Sequence, residues 1–167
     1  MKSIVKFSGY SALAMFVLFA FSYFFLSGLS FTAQEVFGYL SILVSLSFVF
    51  FGVRSYRNNE KQGSISFFKA LGIGLVITLV PSILFGVYNV IYVEYIDPGS
   101  VDAYYAAMIE QTKLDYTGEA LTAKLAEMEE MKTSFSSPWF GFIIMFLTVF
   151  LIGIVVSVIS AVALRKK

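Results

Sequence analysis

The chain has 167 residues, of which 58% are hydrophobic, 18% aromatic and 14% charged, whereas a soluble domain averages about 45–50% apolar and about 25% charged residues. Its mean hydropathy is +0.81, and a domain of this size has too little interior to hide so much Phe, Leu, Ile and Val from water, which excludes a soluble globular enzyme. With no Cys and no His the chain has no disulfide, thiolate nucleophile or imidazole base and no Cys/His zinc or haem ligation, and its formal net charge of +1 conceals a strong separation of sign along the sequence.

Four apolar stretches, residues 7–29, 36–53, 67–93 and 139–164, are candidates to cross a bilayer, which takes about 20 residues at about 1.5 Å of rise each. The first carries no charge. Lys2 and Lys6 precede it like the basic start of a signal peptide, but the apolar run exceeds the usual length and Leu26-Ser27-Gly28 is a poor cleavage site, so a retained helix is expected. The second is the shortest. Thr32-Ala33-Gln34-Glu35 fits a capping box, with Thr32 as cap and Glu35 reaching back, so this helix is expected over 32–53 with its first turn among headgroups.

A basic loop, 54–65, follows. Arg54, Arg57, Lys61 and the nearby Lys69 form a cationic collar, and Tyr56 is placed like an interfacial anchor. These five residues are the candidate contacts for lipid headgroups or a protein partner. Ser66 is expected to cap the third span, 66–93, and Lys69 to extend to the headgroups. Within that span Ala70, Gly74, Thr78, Ser82 and Gly86 recur every four residues, an inclined ridge of small side chains that a neighbour can approach closely. The fourth span repeats the device with Gly153, Ser157 and Ala161, and the second has Ser41 and Ser45. Pro81 removes a backbone donor and is expected to kink the third span as a structural feature. Asn89 is the one side-chain amide within the spans.

After Asp97-Pro98-Gly99, a turn signal, residues 94–138 change character. Ser100 or Asp102 is expected to cap a helix running to about Tyr116, with Val101, Tyr104, Tyr105, Met108 and Ile109 on one face. Gly118 interrupts, and a second helix is expected from about Glu119 to Thr133 with Leu121, Leu125 and Met128 in register. Together they read as a helical hairpin on or above the outer leaflet.

Charge sets the threading. With both ends of the chain and the basic loop on one side, that side holds nine cations against Glu60 alone, and the other holds ten acids against Lys113, Lys124 and Lys132. The positive-inside rule places the nine cations in the cytoplasm. The expected architecture is an all-α integral membrane protein: one four-helix bundle with an extracytoplasmic hairpin between the third and fourth spans, in a bacterial cytoplasmic membrane.

Chemistry is poorly provided for. Ser66-Phe67-Phe68-Lys69 matches the S-x-x-K of serine acyl-transfer enzymes and Lys132-Thr133-Ser134 resembles their K-T-G, but the threading separates the two across the membrane and no S-D-N is present. Glu127, Glu129 and Glu130 lack the spacing of a calcium loop. No ionisable group lies deep in a span, which weighs against proton-coupled transport. The expectation is therefore no catalytic, cofactor or metal site and no nucleic-acid partner. The leading reading is a non-enzymatic accessory or scaffold protein whose expected partners are the bilayer and a membrane protein or a second copy; a small oligomeric transporter or channel is the alternative.

The stretch Gly52-Val53-Arg54-Ser55-Tyr56-Arg57-Asn58-Asn59-Glu60, with Gly63-Ser64-Ile65-Ser66-Phe67-Phe68-Lys69-Ala70, resembles the signature of domain-of-unknown-function family 4199, small four-span membrane proteins mainly of Bacteroidetes-type bacteria. The resemblance covers essentially the whole chain. It implies the four-span architecture and the bacterial inner membrane, and brings no functional residues with it.

Overall fold

The computed structural model describes residues 1–26, 28–135 and 137–165; Ser27, of the cleavage motif, and Lys166 and Lys167, of the basic end, lie outside the described residues. Among the described residues every regular element is helical: α1 (Lys2–Phe25), α2 (Phe31–Glu60), α3 (Phe67–Ile91), a π-helical turn (Tyr92–Ile96), α4 (Ser100–Asp115), α5 (Gly118–Phe135) and α6 (Pro138–Leu164). α1, α2, α3 with its π-helical turn, and α6 are long and apolar enough to cross a membrane.

Several boundaries depart from the expectation, for identifiable reasons. α1 starts at Lys2, because the lysines that lie outside a hydrocarbon core still make good helix. α2 is capped two residues earlier than expected: Ser30 caps it, its Oγ accepting the Ala33 N–H at 3.3 Å, and Thr32 lies inside the first turn. α2 also runs on through the stretch expected as a loop and ends at Glu60. A charge ends an apolar span without ending a helix, since Arg and Glu have high helix propensity. The chain then reverses through Gln62 and Gly63, both at positive φ (52° and 88°), with the Gly63 N–H donating to the Arg57 carbonyl at 2.9 Å. α3 continues through Pro81, which is buried. Gly118 opens α5 at φ 62°, a left-handed conformation that a β-carbon penalises. Pro138 takes the first position of α6, where a missing N–H costs nothing.

The chain forms two compact units, Met1–Phe85 with Phe146–Lys167, and Gly86–Met145. In the first unit the interior is small and hydroxylic. α1 buries Ser3, Ser8, Ser11, Ala12 and Met15, and α2 buries Ser41, Ile42, Ser45, Leu46 and Val49. The Ser11 hydroxyl crosses between them to the Ser45 carbonyl at 2.7 Å. Ser45 and Ser41 donate back one turn to Ser41 and Phe37 at 2.8 Å, the usual way a helix satisfies a buried hydroxyl. At Gly52 an added β-carbon would lie 2.5 Å from Ile77 Cδ1 and 2.9 Å from Phe7 Cβ, so α1, α2 and α3 meet there.

α3 and α6 approach still more closely. A β-carbon on Gly74 would lie 2.8 Å from Ser157 Cβ and 3.2 Å from its Cα, and one on Gly153 would overlap the Thr78 side chain. Ala70, Thr78, Ser82, Ser157 and Ala161 are all fully buried. Thr78 Oγ1 donates to the Gly74 carbonyl at 3.0 Å and Ser82 Oγ to the Thr78 carbonyl at 2.9 Å. Leu46, Ile77 and Val149 share this interior, but many large apolar side chains point outward: Phe16, Leu151, Val155 and Ile159 are exposed. A soluble domain arranges these two classes the opposite way round; small residues inside and large apolar residues outside are what packing in lipid requires.

In the second unit, Gly86 lies against the Phe142 ring and Gly141 against the Asn89 amide. α4 and α5 pair through Tyr105, Thr112 and Met128: Thr112 Oγ1 lies 3.7 Å from Met128 Sδ, and the Tyr105 and Phe135 rings are 6.4 Å apart. Val101, Tyr105, Met108 and Thr112 on α4 are shielded, as are Leu121, Leu125 and Met128 on α5, whereas Tyr104 faces out. Gly99 occupies the N-cap of α4 and Ser100 Oγ donates to the Asp97 carbonyl at 2.7 Å, so neither Ser100 nor Asp102 caps it.

Candidate functional site

The polar and charged side chains of the first unit gather at the start of α1, the end of α2, the start of α3 and the end of α6. Four contacts tie the start of α1 and the end of α6 to the end of α2. Glu60 Oε1 accepts the backbone N–H of Ser3 at 2.9 Å, and its other oxygen holds the terminal ammonium of Met1. Ser3 and Ser55 share a hydrogen bond at 3.0 Å, and Asn59 Nδ2 donates to Ser55 Oγ at 3.1 Å. Arg57 Nη1 donates to the Leu164 carbonyl at 3.2 Å, across 107 residues of chain.

The two charged members have defined jobs. Glu60 puts a carboxylate on the N-terminal turn of α1, where free N–H groups and the helix dipole favour an anion. Arg57 caps the last turn of α6, where free carbonyls favour a cation, and its Nε is held by Asn58 Oδ1 at 2.9 Å. Of the five candidate contact residues, Arg57 is thus half-buried and engaged within the chain, and Tyr56 is half-buried; Arg54, Lys61 and Lys69 are exposed. Phe68, beside Lys69, is 82% exposed. Lys2, Lys6 and Arg165 add three more exposed cations. Neither this use of Arg57 and Glu60 nor the role of α1 is apparent from segment-by-segment reading. One signal was available: Ser8, Ser11, Ala12 and Met15 follow an i, i+3, i+4, i+7 spacing that marks a packing face.

Between α1 and α2 at this end lies a shallow cavity, open to the outside, of about 510 Å³ lined by Met1, Lys2, Ser3, Lys6, Ser55, Asn59 and Glu60. Lys6 Nζ sits 5.9 and 5.6 Å from the ring centres of Phe7 and Tyr10. Among the described residues no hydrogen bond joins Ser66 to Lys69, and no group of three or more His, Cys, Asp or Glu side chains is placed to hold a metal.

In the second unit, Lys132 pairs with Asp102 at 2.8 Å and Lys124 with Glu127 at 2.6 Å. The hydrogen bond and charge of Asp102 raise the Lys132 pKa, and those of Glu127 raise that of Lys124. Both lysines are solvated, so the pairs fix geometry more than they stabilise. Burial raises the Tyr105 phenol.

No curated protein and no solved structure matches the chain. A family model does: the one described as "Protein of unknown function (DUF4199)" matches residues 6–166, nearly the whole length, and the chain belongs to that family.

Proposed function

We propose that the chain is a four-span helical bundle of a bacterial cytoplasmic membrane, with its first and last residues and its basic end in the cytoplasm and α4–α5 as a hairpin outside. In that setting it acts as a non-enzymatic accessory or scaffold protein, engaging anionic headgroups or one membrane-protein partner through Arg54, Tyr56, Lys61 and Lys69. The observation that carries this reading is the gathering of exposed cations at one end of the first unit, where the single acid, Glu60, is already neutralised by the start of α1. Cytoplasmic leaflets are anionic, and each such cation gains roughly 1 kcal/mol near them. The contact of Gly74 with Ser157 and of Gly153 with Thr78 fills the space between α3 and α6, which favours a packed support over a solute path. A photo-reactive phenylalanine analogue in place of Tyr56, irradiated in native membranes, tests the reading. Reproducible adducts with phospholipid or with one protein support it; absence of both refutes it.

A further inference from the structure

We infer that the cavity between the start of α1 and the end of α2 is a binding site for the phosphate of one anionic phospholipid, such as a phosphatidylglycerol. Lys2 and Lys6 supply the charge, and Asn59, which gives one amide hydrogen to Ser55, supplies a hydrogen bond with the other. This deepens the headgroup reading above: the exposed collar responds to leaflet charge in general, whereas this cavity holds a single lipid.

Three observations converge. The first is electrostatic. Lys2 and Lys6 stand one turn apart at the N-terminal end of α1, where the helix dipole disfavours cations and where like charges four residues apart repel. Neither makes an ion pair among the described residues. The nearest acid, Glu60, directs one oxygen to the Ser3 N–H and the other to the terminal ammonium, so its charge is spent on the backbone of α1 and the two lysines stay uncompensated over the cavity. An anion between them relieves both penalties.

The second is depth. The uncharged part of α1 begins at Phe7 and that of α2 ends at Val53. At 1.5 Å per residue, Lys2 and Asn59 stand about 8–9 Å beyond those points, and Lys6 about 2 Å. A leaflet's polar layer is roughly 5–8 Å thick, so the cavity spans the level at which lipid phosphates lie.

The third is what lies directly below. Phe7, Tyr10, Phe48 and Phe51 form a continuous ladder of edge-on and tilted rings across α1 and α2, with centroids 5.7, 6.0 and 6.4 Å apart. Tyr10 and Phe51 are exposed. A lipid whose phosphate sits in the cavity lays an acyl chain along this ladder, and a free phosphate ion has no use for it. Lys6, resting over the Phe7 and Tyr10 rings, marks the junction of the polar and apolar halves.

Native mass spectrometry of the full chain, purified in detergent and stripped of lipid, reads the site directly. Phosphatidylglycerol should bind with a stoichiometry of one in preference to phosphatidylcholine. Lys2→Gln with Lys6→Gln should weaken that adduct about 30-fold, and Lys2→Arg with Lys6→Arg should keep it. The triple change Arg54→Gln, Lys61→Gln, Lys69→Gln should leave it in place. Equal binding of phosphatidylcholine, or an unchanged adduct in the Lys2/Lys6 glutamine variant, overturns the inference. Displacement of the lipid by equimolar glycerol phosphate makes the site one for soluble phosphate and overturns it too. Loss of the adduct only in the triple variant assigns lipid binding to the collar and refutes the cavity while leaving the broader reading intact. Retention in the triple variant, with no headgroup or partner crosslink from the collar, refutes the broader reading and leaves the cavity.

Discussion

Replacing Gly153 by alanine should destabilise the first unit, and the reason is local. The new methyl would overlap the Thr78 side chain, with Oγ1 only 2.9 Å and Cβ 3.0 Å away. Thr78 is fully buried and β-branched, and its Oγ1 is committed to the Gly74 carbonyl, so it cannot rotate aside without losing that bond. One turn along, a β-carbon on Gly74 would lie only 3.2 Å from Ser157 Cα, so α3 and α6 are in close contact there too. Overpacking of this kind costs about 1–3 kcal/mol, and a site with so little slack belongs at the upper end. Alanine returns about 1 kcal/mol of helix propensity over glycine, leaving a net loss of about 2 kcal/mol. Gly72→Ala is the matched control, since a β-carbon there meets open space; it should be neutral or stabilising. Thr78→Ser removes the clashing methyl and keeps the hydroxyl, so the double variant should regain at least about 1 kcal/mol relative to Gly153→Ala, a coupling expected only of residues in contact. Unfolding by sodium dodecyl sulfate in mixed micelles, followed by circular dichroism, measures all four proteins. If Gly153→Ala matches Gly72→Ala, or if Thr78→Ser gives no rescue, the close α3–α6 contact is wrong.

Other consequences can be measured in the same way. Ser157 Oγ is buried without a hydrogen-bond partner, so Ser157→Ala should leave stability unchanged or raise it by up to about 1 kcal/mol, because an unpaired polar group is removed. Arg57→Gln, which shortens the reach to the Leu164 carbonyl, should cost about 0.5–1.5 kcal/mol and speed hydrogen exchange in the last turn of α6 with little change in α1; equal changes in both would contradict the assignment of Arg57 as a cap. At high pH, α4 and α5 should loosen. The pKa values of Lys132 and Tyr105 are both raised in the folded state, so the fold binds their protons more tightly than the unfolded chain does, and stability falls only as pH rises past their ordinary values near about 10. Hydrogen exchange in α4 should be flat from pH 6 to 9 after correction for intrinsic rates and should rise above that, less steeply in Tyr105→Phe.

The four candidate spans are legible because each is an uninterrupted apolar run, and all four runs lie in helices long and apolar enough to cross a membrane. The small-residue ridge of α3 was legible for a similar reason: Gly74 and Thr78 meet Ser157 and Gly153, four of the residues singled out by their spacing. Helix ends were harder. Arg54 marks where the apolar run of α2 stops, yet the helix goes on to Glu60: Arg54, Arg57 and Glu60 favour helix, and the intervening Ser, Tyr and Asn residues do not break it. The polar end was harder again. Arg57 reads as a surface cation, and only the folded chain brings the Leu164 carbonyl to it. Glu60, noted as a lone acid among cations, gains its role from Ser3, a contact between distant segments that no local pattern encodes.

The proposed threading puts the basic end and the acidic α4–α5 segment on opposite sides of a membrane. Because the chain has no cysteine, single cysteines placed at two exposed positions, Ser64→Cys after α2 and Ala123→Cys on α5, report sidedness without background. In intact cells a membrane-impermeant maleimide should label Ala123→Cys and spare Ser64→Cys, which should react only after permeabilisation. Labelling of both positions in intact cells, or of Ser64→Cys alone, would contradict the threading and everything built on it.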